Sequence, residues 1–335
     1  MIIAAISEYF TTLCDRFGQG WNRFWFMPSD PLLLSLVRVL TGALSFLMVL
    51  SYTPDLQRFF GPGGYLTVDA VEQLRGDFCG WSYLCYTTTA SSLWAAHVAS
   101  LFVLALFALG LFTRVTSVLA LVVVLSYIHR APILVYEAEF VLAFLMLYLC
   151  LGPSGAYLSL DRLLAGRRTA TTPAHLSAKP QPPSTRPSNS WAATIAIRLI
   201  QIHLTVVYVM MLLAQLQGGV WWDGSAVWWL IGRPDSALVD FSGLYAHPWV
   251  VNAWTHSIVA FEAAFALLAW NRLAAPLLIV IGCVVWTLLA LLTGMVAFAA
   301  VMMIANLAFL PESTLRRGLG AMLSRRAISG ELASG

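Results

Sequence analysis

The sequence contains little charge, since Asp, Glu, Lys and Arg together make up 10% of its 335 residues. An ordinary soluble domain has about 25%. Lysine is nearly missing and occurs once, at Lys179. Apolar residues account for 59% of the chain, and the mean hydropathy is +0.78. Such a chain cannot cover a water-facing surface, which excludes a soluble globular protein and indicates the lipid bilayer as its main surroundings.

Other shortages exclude further classes of protein. Five cysteines in a chain of this length do not indicate a disulfide scaffold. A single disulfide between Cys79 and Cys85, in one outer loop, is kept as an alternative. The chain has no CxxC or HExxH motif, and no metal site is expected. A net charge of +3 is too small for nucleic-acid binding. P-loop, GxSxG and GxGxxG motifs are also missing.

Long apolar stretches dominate what is there, and a membrane-spanning helix needs about 20 such residues. We predict eight spans, at residues 31–52, 92–112, 115–134, 137–158, 192–215, 249–270, 273–292 and 294–311. Residues 1–26 mix charged side chains with Phe and Trp, which predicts an amphipathic helix in the headgroup region. The predicted fold is all-α, a polytopic transmembrane bundle that forms one domain over residues 27–312.

The distribution of arginine predicts the orientation of these spans. Residues 159–190 are rich in Pro, Ser, Thr and Arg and predict a flexible cytoplasmic linker, while 313–335 form a basic tail. The connections 53–91 and 217–248 carry more acids than bases and are expected outside. Both termini are therefore predicted to be cytoplasmic.

Ionisable side chains within spans are costly and mark candidate sites. Arg38 and Glu262 fall at similar predicted depths and are expected to pair, either as a structural ion pair or as part of a site. A second group lies toward the predicted outer face: His129, Arg130, Glu139, Tyr208, Gln215 and His256. Each alone suits a packing or capping role, and together they suit a polar headgroup at the mouth of an apolar cavity.

The outer connections are rich in aromatic residues. Trp221, Trp222, Trp228 and Trp229 lie close together in one of them. They are typical of an interfacial aromatic belt, or alternatively of a cap over an outward-opening cavity. A lipid-soluble ligand such as a quinone would enter that cavity from the bilayer.

Several short motifs follow one another in a fixed order along residues 20–311. The motifs are Trp25-Phe26-Met27-Pro28, Asp30-Pro31, Leu36-Val37-Arg38, Leu109-Gly110-Leu111-Phe112-Thr113-Arg114, Ser126 to Arg130 with Glu139, Leu151-Gly152-Pro153-Ser154-Gly155, Ser159-Leu160-Asp161, Arg198-Leu199-Ile200-Gln201, Val207-Tyr208, Leu216-Gln217-Gly218, Trp221-Trp222-Asp223-Gly224 with Ala226, and Thr255 with Glu262. Together they resemble the HTTM domain of vitamin K-dependent gamma-carboxylase and its bacterial relatives. The resemblance implies a bacterial inner-membrane protein.

The resemblance also implies a quinol site, since carboxylases of this family use a lysine as base toward a vitamin K hydroquinone. The matching position here is Gln215, and an amide has no usable basicity. We therefore expect a relative that does not carboxylate, but binds a quinone-like or lipid ligand or assists modification of an exported peptide. The expected ligand-binding residues are Arg38, His129, Arg130, Tyr208, Gln215, Trp222, His256 and Glu262.

Two alternatives remain open. The first is a quinol-dependent oxidase or carboxylase-like enzyme that uses a histidine base, with His129 and His256 as candidates. The second is a non-catalytic membrane partner of a protein that matures a secreted peptide, with the tryptophan-rich loop as the contact surface.

Overall fold

The chain folds into an all-α polytopic bundle, seen in a computed structural model that describes residues 2–75, 82–134, 137–171, 187–232 and 237–317. Its helices are α1 Ile2–Phe26, α2 Leu32–Ser51, α3 Leu56–Phe60, α4 Val68–Arg75, α5 Ala90–Leu109, α6 Thr113–Arg130, α7 Glu137–Leu151, α8 Leu160–Thr171, α9 Trp191–Leu216, α10 Gly219–Trp222, α11 Ala226–Ile231, α12 Pro248–Leu268, α13 Ala274–Thr293 and α14 Val296–Asn306.

Six of the described helices are long and apolar enough to cross a membrane, namely α2, α5, α6, α9, α12 and α13. The prediction of eight full-length spans is wrong for the fourth and the eighth. Helix α7 has 15 residues, about 22 Å, because the chain turns at Gly152-Pro153. Helix α14 has 11 residues and continues only as a short 3-10 turn, Leu307–Phe309. Both are shorter than a hydrocarbon core of about 30 Å.

Local sequence signals set the other helix ends. Thr89 and Ser92 form a reciprocal capping box at the start of α5, which ends at Gly110 in the left-handed conformation, with φ 73°. Helix α6 ends at Arg130, two residues before Pro132, because proline cannot supply the next backbone hydrogen bond.

Antiparallel neighbours build the bundle, with α2 against α5, α9 against α12, α6 against α7, and α13 against α14. Helices α7 and α14 connect these pairs, because each of them also contacts α2 and α9. Buried apolar side chains from all of these helices form one continuous core. Polar side chains within that core therefore stand out as candidates for function.

Polar side chains of α2 and α8 hydrogen-bond around the α5–α6 turn at one end of the bundle. Arg38, fully buried in α2, donates to the backbone carbonyls of Phe107 and Leu158. Asp161 accepts from the backbone N–H of Phe112 and of Thr113, at 2.8 and 2.9 Å, and so caps the start of α6. The guanidinium lies at the negative C-terminal end of α5, and the carboxylate lies at the positive N-terminal end of α6.

A second set of contacts at the same end ties the start of α2 to distant segments. Asp30 accepts from the Leu32 backbone N–H at 2.8 Å, from the Tyr157 hydroxyl at 3.2 Å and from Arg316. Ser29 and Ser190 exchange two backbone hydrogen bonds. These contacts hold the starts of α2 and α9 side by side.

The structure describes only part of the predicted linker and of the predicted C-terminal tail. The predicted flexible linker 159–190 is helical over Leu160–Thr171, because Asp161 and Ser159 hydrogen-bond around the start of that helix. Residues 172–186 of that linker, 318–335 of the predicted tail and Cys79 of the candidate disulfide lie outside the described residues. The predicted helix over 1–26 is present as α1.

Candidate functional site

A buried phenol–imidazole pair lies near the end of the bundle opposite Arg38. The Tyr127 hydroxyl is 2.7 Å from Nδ1 of His97, and Nε2 of that ring is 3.0 Å from Oγ1 of Thr53. Thr53 donates its single hydroxyl hydrogen to the carbonyl of Leu50 at 2.6 Å, so it accepts from Nε2–H. In a neutral imidazole with this hydrogen on Nε2, Nδ1 accepts the proton of the Tyr127 hydroxyl.

Tyr52 extends this pair toward a carboxylate. Its ring stacks on that of Tyr127, with centroids 5.7 Å apart and an interplanar angle of 13°. Its hydroxyl lies 3.5 Å from Oε1 of Glu139 at the start of α7. Burial, together with the nearby carboxylate of Glu139, raises the pKa of Tyr52 to about 12, so this phenol stays protonated and donates. We call Tyr52, His97, Tyr127 and Glu139 the phenol cluster.

A small cavity of about 20 Å³ opens among α2, α6 and α7, beside the phenol cluster. Ser45, Tyr52, Tyr127 and Glu139 are the polar-group residues of its lining, which also includes Met48 and Leu142. A water molecule needs about 10–15 Å³ of this space, so one water fits and a quinone ring does not. His97 lies behind Tyr127, outside the lining, where it can take or return the proton of that hydroxyl.

Arg130 is buried at the same end of the bundle. Its Nη2 donates to the carbonyl of Phe60 at 3.0 Å, while Nε and Nη1 have no hydrogen-bond partner among the described residues. Phe60 lines the cavity, whereas Arg130 is not among the lining residues. A buried cation with unused N–H groups is costly, and it suits an acceptor such as water or a ligand oxygen.

A second polar group lies between α9 and α12. Nε2 of Gln215 donates to Oε1 of Glu262 at 3.0 Å, and both side chains are buried. Oε1 of Gln215 and Oε2 of Glu262 have no partner among the described residues. Gln215 does not line the cavity beside the phenol cluster.

Tyr208 belongs to a saturated network at the same interface. Its hydroxyl donates to Oδ1 of Asn306 and accepts from Nε1 of Trp286, both at 3.0 Å. Its ring stacks on Phe265 with centroids 4.3 Å apart. Both functions of the hydroxyl are used within the protein, which indicates that Tyr208 joins α9, α13 and α14.

The sequence predicted that the outer-face group gathers at the mouth of one cavity. The structure shows that it does not. Arg130 and Glu139 lie with the phenol cluster, and Gln215 lies with Glu262. Equal depth placed these residues in one layer, but their positions around the bundle separate them, because α6 packs against α5 and α7, whereas α12 packs against α9 and α13.

Each of the two candidate base histidines hydrogen-bonds to a backbone carbonyl one turn earlier in its own helix. Nδ1 of His129 is 2.7 Å from the Leu125 carbonyl, and Nδ1 of His256 is 2.9 Å from the Asn252 carbonyl. A carbonyl only accepts, so Nδ1 carries the hydrogen in both rings. His256 is exposed beside Gly224. Trp222 is 66% exposed, donates from its indole to the Leu216 carbonyl and does not line the cavity beside the phenol cluster.

The predicted Arg38–Glu262 pair is wrong. Arg38 lies against the α5–α6 turn with two backbone carbonyls, and Glu262 accepts from Gln215. The guanidinium obtains compensating dipoles from a helix C-terminus, so it needs no carboxylate at its own depth.

Sequence analysis missed His97, the residue that organises the phenol cluster. A signal existed, because His97 is an ionisable residue inside a predicted span. Tyr52 and Thr53 gave no such signal, since they follow the last turn of α2 and are typical of an interface.

Among the residues that the structure describes, no three His, Cys, Asp or Glu side chains cluster as metal ligands would. Comparisons with protein-family models, with curated proteins and with solved structures found no match to this chain. The resemblance to the HTTM domain therefore stays a prediction based on the motifs alone.

Proposed function

We propose that this chain is an HTTM-type integral membrane protein that binds a quinone-like, lipid-soluble ligand at the phenol cluster. The observation that carries the proposal is the hydrogen bond from Tyr127 to Nδ1 of His97 beside a cavity wall. A phenol that lines a cavity and has a proton acceptor behind it is suited to exchange protons with a quinone or quinol oxygen.

The surroundings of the pair support this chemistry. Tyr52 and Glu139 add a second donor and an acceptor on the same wall, and the remaining wall is mostly apolar, as in most small-molecule sites. The cavity holds one water in the present arrangement, so a ring enters only if the side chains of Met48 and Leu142 move. Methionine has three rotatable bonds and adapts readily to such a change.

Carboxylation by the family's lysine chemistry is not part of the proposal. The amide of Gln215 donates to Glu262 and cannot accept a quinol proton. One observation favours a second candidate, a quinol-dependent oxidase. His97 lies with Nδ1 beside the Tyr127 hydroxyl and Nε2 beside Thr53, so in its neutral form it can serve as the histidine base that was predicted at His129 or His256.

Quinone binding to the full-length protein in lipid nanodiscs tests the proposal. We expect ubiquinone or menaquinone to bind the wild-type protein, and Tyr127→Phe to weaken binding about tenfold, the value of one buried hydrogen bond. Tyr148→Phe is the matched control, because Tyr148 lies 3.5 Å from Nδ1 of His203 in another phenol–imidazole pair, nine residues along α7 from Glu139.

Equal quinone affinity in the Tyr127→Phe and wild-type proteins would overturn the assignment of the site, and no quinone binding by the wild-type protein would overturn the function. Turnover of a reduced quinone with oxygen, lost in His97→Phe, would establish the oxidase instead of a binding protein.

A further inference from the structure

A basic groove of about 770 Å³ opens at the Arg38 end of the bundle, where α12 turns into α13 and the chain leaves α14. Four arginine side chains line it: Arg198, Arg272, Arg316 and Arg317. Glu312 is the one carboxylate among its lining residues. We refer to this space as the basic groove.

Most of the positive charge in the basic groove has no compensating carboxylate. Arg316 contacts Asp30, and its Nε lies 3.2 Å from Oε1 of Glu312. Arg198, Arg272 and Arg317 make no salt bridge among the described residues. Four arginines against two carboxylates, Glu312 and Asp30, leave a formal charge of +2. A mobile anion suits such a groove.

Arg198 is held in place before any ligand arrives. Its Nη1 donates to Oε1 of Gln201 at 2.9 Å, and Gln201 donates to the carbonyl of Ala308 at 2.7 Å. The guanidinium also lies over the rings of Phe24 and Trp270, 4.5 and 5.9 Å from their centroids. A preorganised guanidinium loses less entropy when it binds a phosphate and can donate to two oxygens at once.

Exposed apolar side chains border these charges. Leu273 is 89% exposed and lines the groove, and Trp270 is 38% exposed. The Phe24 ring of α1 packs 5.9 Å from that of Trp270, and α1 also presents the exposed side chains of Phe17 and Trp21. A free phosphate makes no favourable contact with this apolar border, whereas the acyl chains of a phospholipid pack against it.

We propose that the basic groove binds the phosphate of an anionic phospholipid headgroup, with the acyl chains along Trp270, Leu273 and α1. Basic clusters at the ends of spanning helices are suited to such lipids. The groove lies at the other end of the bundle from the phenol cluster, so this proposal stands independently of quinone binding.

Native mass spectrometry of the full-length protein tests the proposal, with phosphatidylglycerol, phosphatidylcholine and inorganic phosphate titrated separately. We expect tighter binding of phosphatidylglycerol than of phosphatidylcholine. Removal of one charge should weaken phosphatidylglycerol about 5-fold, and the double variant Arg272→Gln/Arg317→Gln about 25-fold. Phosphatidylcholine binding should not change.

Two further variants make the test specific. Arg114→Gln removes an exposed arginine next to the α5–α6 turn, outside the groove, and should leave phosphatidylglycerol affinity unchanged. Arg272→Lys/Arg317→Lys keeps the charge and should retain most of the phosphatidylglycerol affinity. This variant separates an effect of lost charge from an effect of lost folding. Equal phosphatidylglycerol affinity in the double Gln variant and the wild type would overturn the proposal. So would arginine-dependent binding of inorganic phosphate without preference for phosphatidylglycerol, which would identify free phosphate as the ligand.

Discussion

The hydroxyl of Tyr127 lies 2.7 Å from Nδ1 of His97, and Thr53 on the other side of the ring favours the neutral tautomer in which the hydroxyl donates to this nitrogen. Both side chains are buried, Tyr127 in α6 and His97 in α5. A buried acceptor that loses its donor pays the full cost of desolvation, whereas removal of both partners costs much less. The two residues therefore behave as one unit.

This unit predicts a non-additive pair of substitutions. Tyr127→Phe should destabilise the protein by about 1–3 kcal/mol because it leaves Nδ1 of His97 unsatisfied. In the His97→Phe background the same tyrosine substitution should cost clearly less. Thermal or denaturant unfolding in detergent of the two single variants and the double variant measures the coupling. Strictly additive effects would show that the bond contributes nothing to stability.

The sequence predicted the helices better than their arrangement. Apolar runs between Gly, Pro and polar residues were sufficient to locate α2, α5, α6, α9, α12 and α13 to within a few residues. The same runs overestimated α7, since apolar residues continue past Gly152 although the helix does not. Hydropathy reports where a segment can lie, and turn residues decide where the helix ends.

The candidate site was harder to predict because depth is only one of two coordinates. Arg38 and Glu262 lie within apolar helices as expected, yet they face different neighbours. The position of each residue around the bundle depends on which helices pack together, and a single sequence does not give that order. His97 was detectable as an intramembrane histidine, but its link to Tyr127 depends on the packing of α5 against α6.

The α5–α6 turn makes a prediction about Gly110. A Cβ at this position would lie 1.9 Å from Nη1 of Arg38 and 2.7 Å from Cβ of Ser159, and its φ of 73° disfavours any side chain. Gly110→Ala should therefore lower the melting temperature strongly, since Arg38 must leave its carbonyl partners or the turn must open. Gly63→Ala, whose added Cβ meets nothing within 4 Å, is the control. Equal melting temperatures of the two variants would contradict this account of the turn.

Gln215 and Glu262 predict unequal losses of stability from two nearly isosteric changes. Gln215→Leu removes the donor from a buried carboxyl group, and we expect a loss of about 1–3 kcal/mol. Glu262→Gln keeps an oxygen acceptor for Nε2 of Gln215 and removes a buried carboxyl group, so it should cost less. Unfolding of both variants in detergent checks the order. Greater damage from Glu262→Gln would show that the Glu262 carboxyl has a partner beyond Gln215, such as a ligand.

Asp161 predicts how stability depends on pH at the Arg38 end of the bundle. Burial alone raises the pKa of this carboxyl, but the backbone N–H groups of Thr113 and Phe112, the Thr113 hydroxyl and Arg38 outweigh it and lower the pKa below the ordinary 3.8. The carboxylate therefore stabilises the fold at pH values above its unfolded-state pKa, and this stabilisation is lost as the pH falls through the lower folded-state value.

The matching experiment compares Asp161→Asn with the wild-type protein across that range. At neutral pH the variant should be less stable by up to about 1 kcal/mol, the usual contribution of a negative charge at a helix N-terminus. Below about pH 4 the difference should shrink, because the wild-type carboxyl also becomes neutral. Glu8→Gln, which changes an exposed carboxylate on α1, should not show this dependence. A difference between Asp161→Asn and the wild type that stays constant down to pH values near 3 would mean that the charge of Asp161 does not stabilise the start of α6, and that the Asn side chain fails there for reasons of shape.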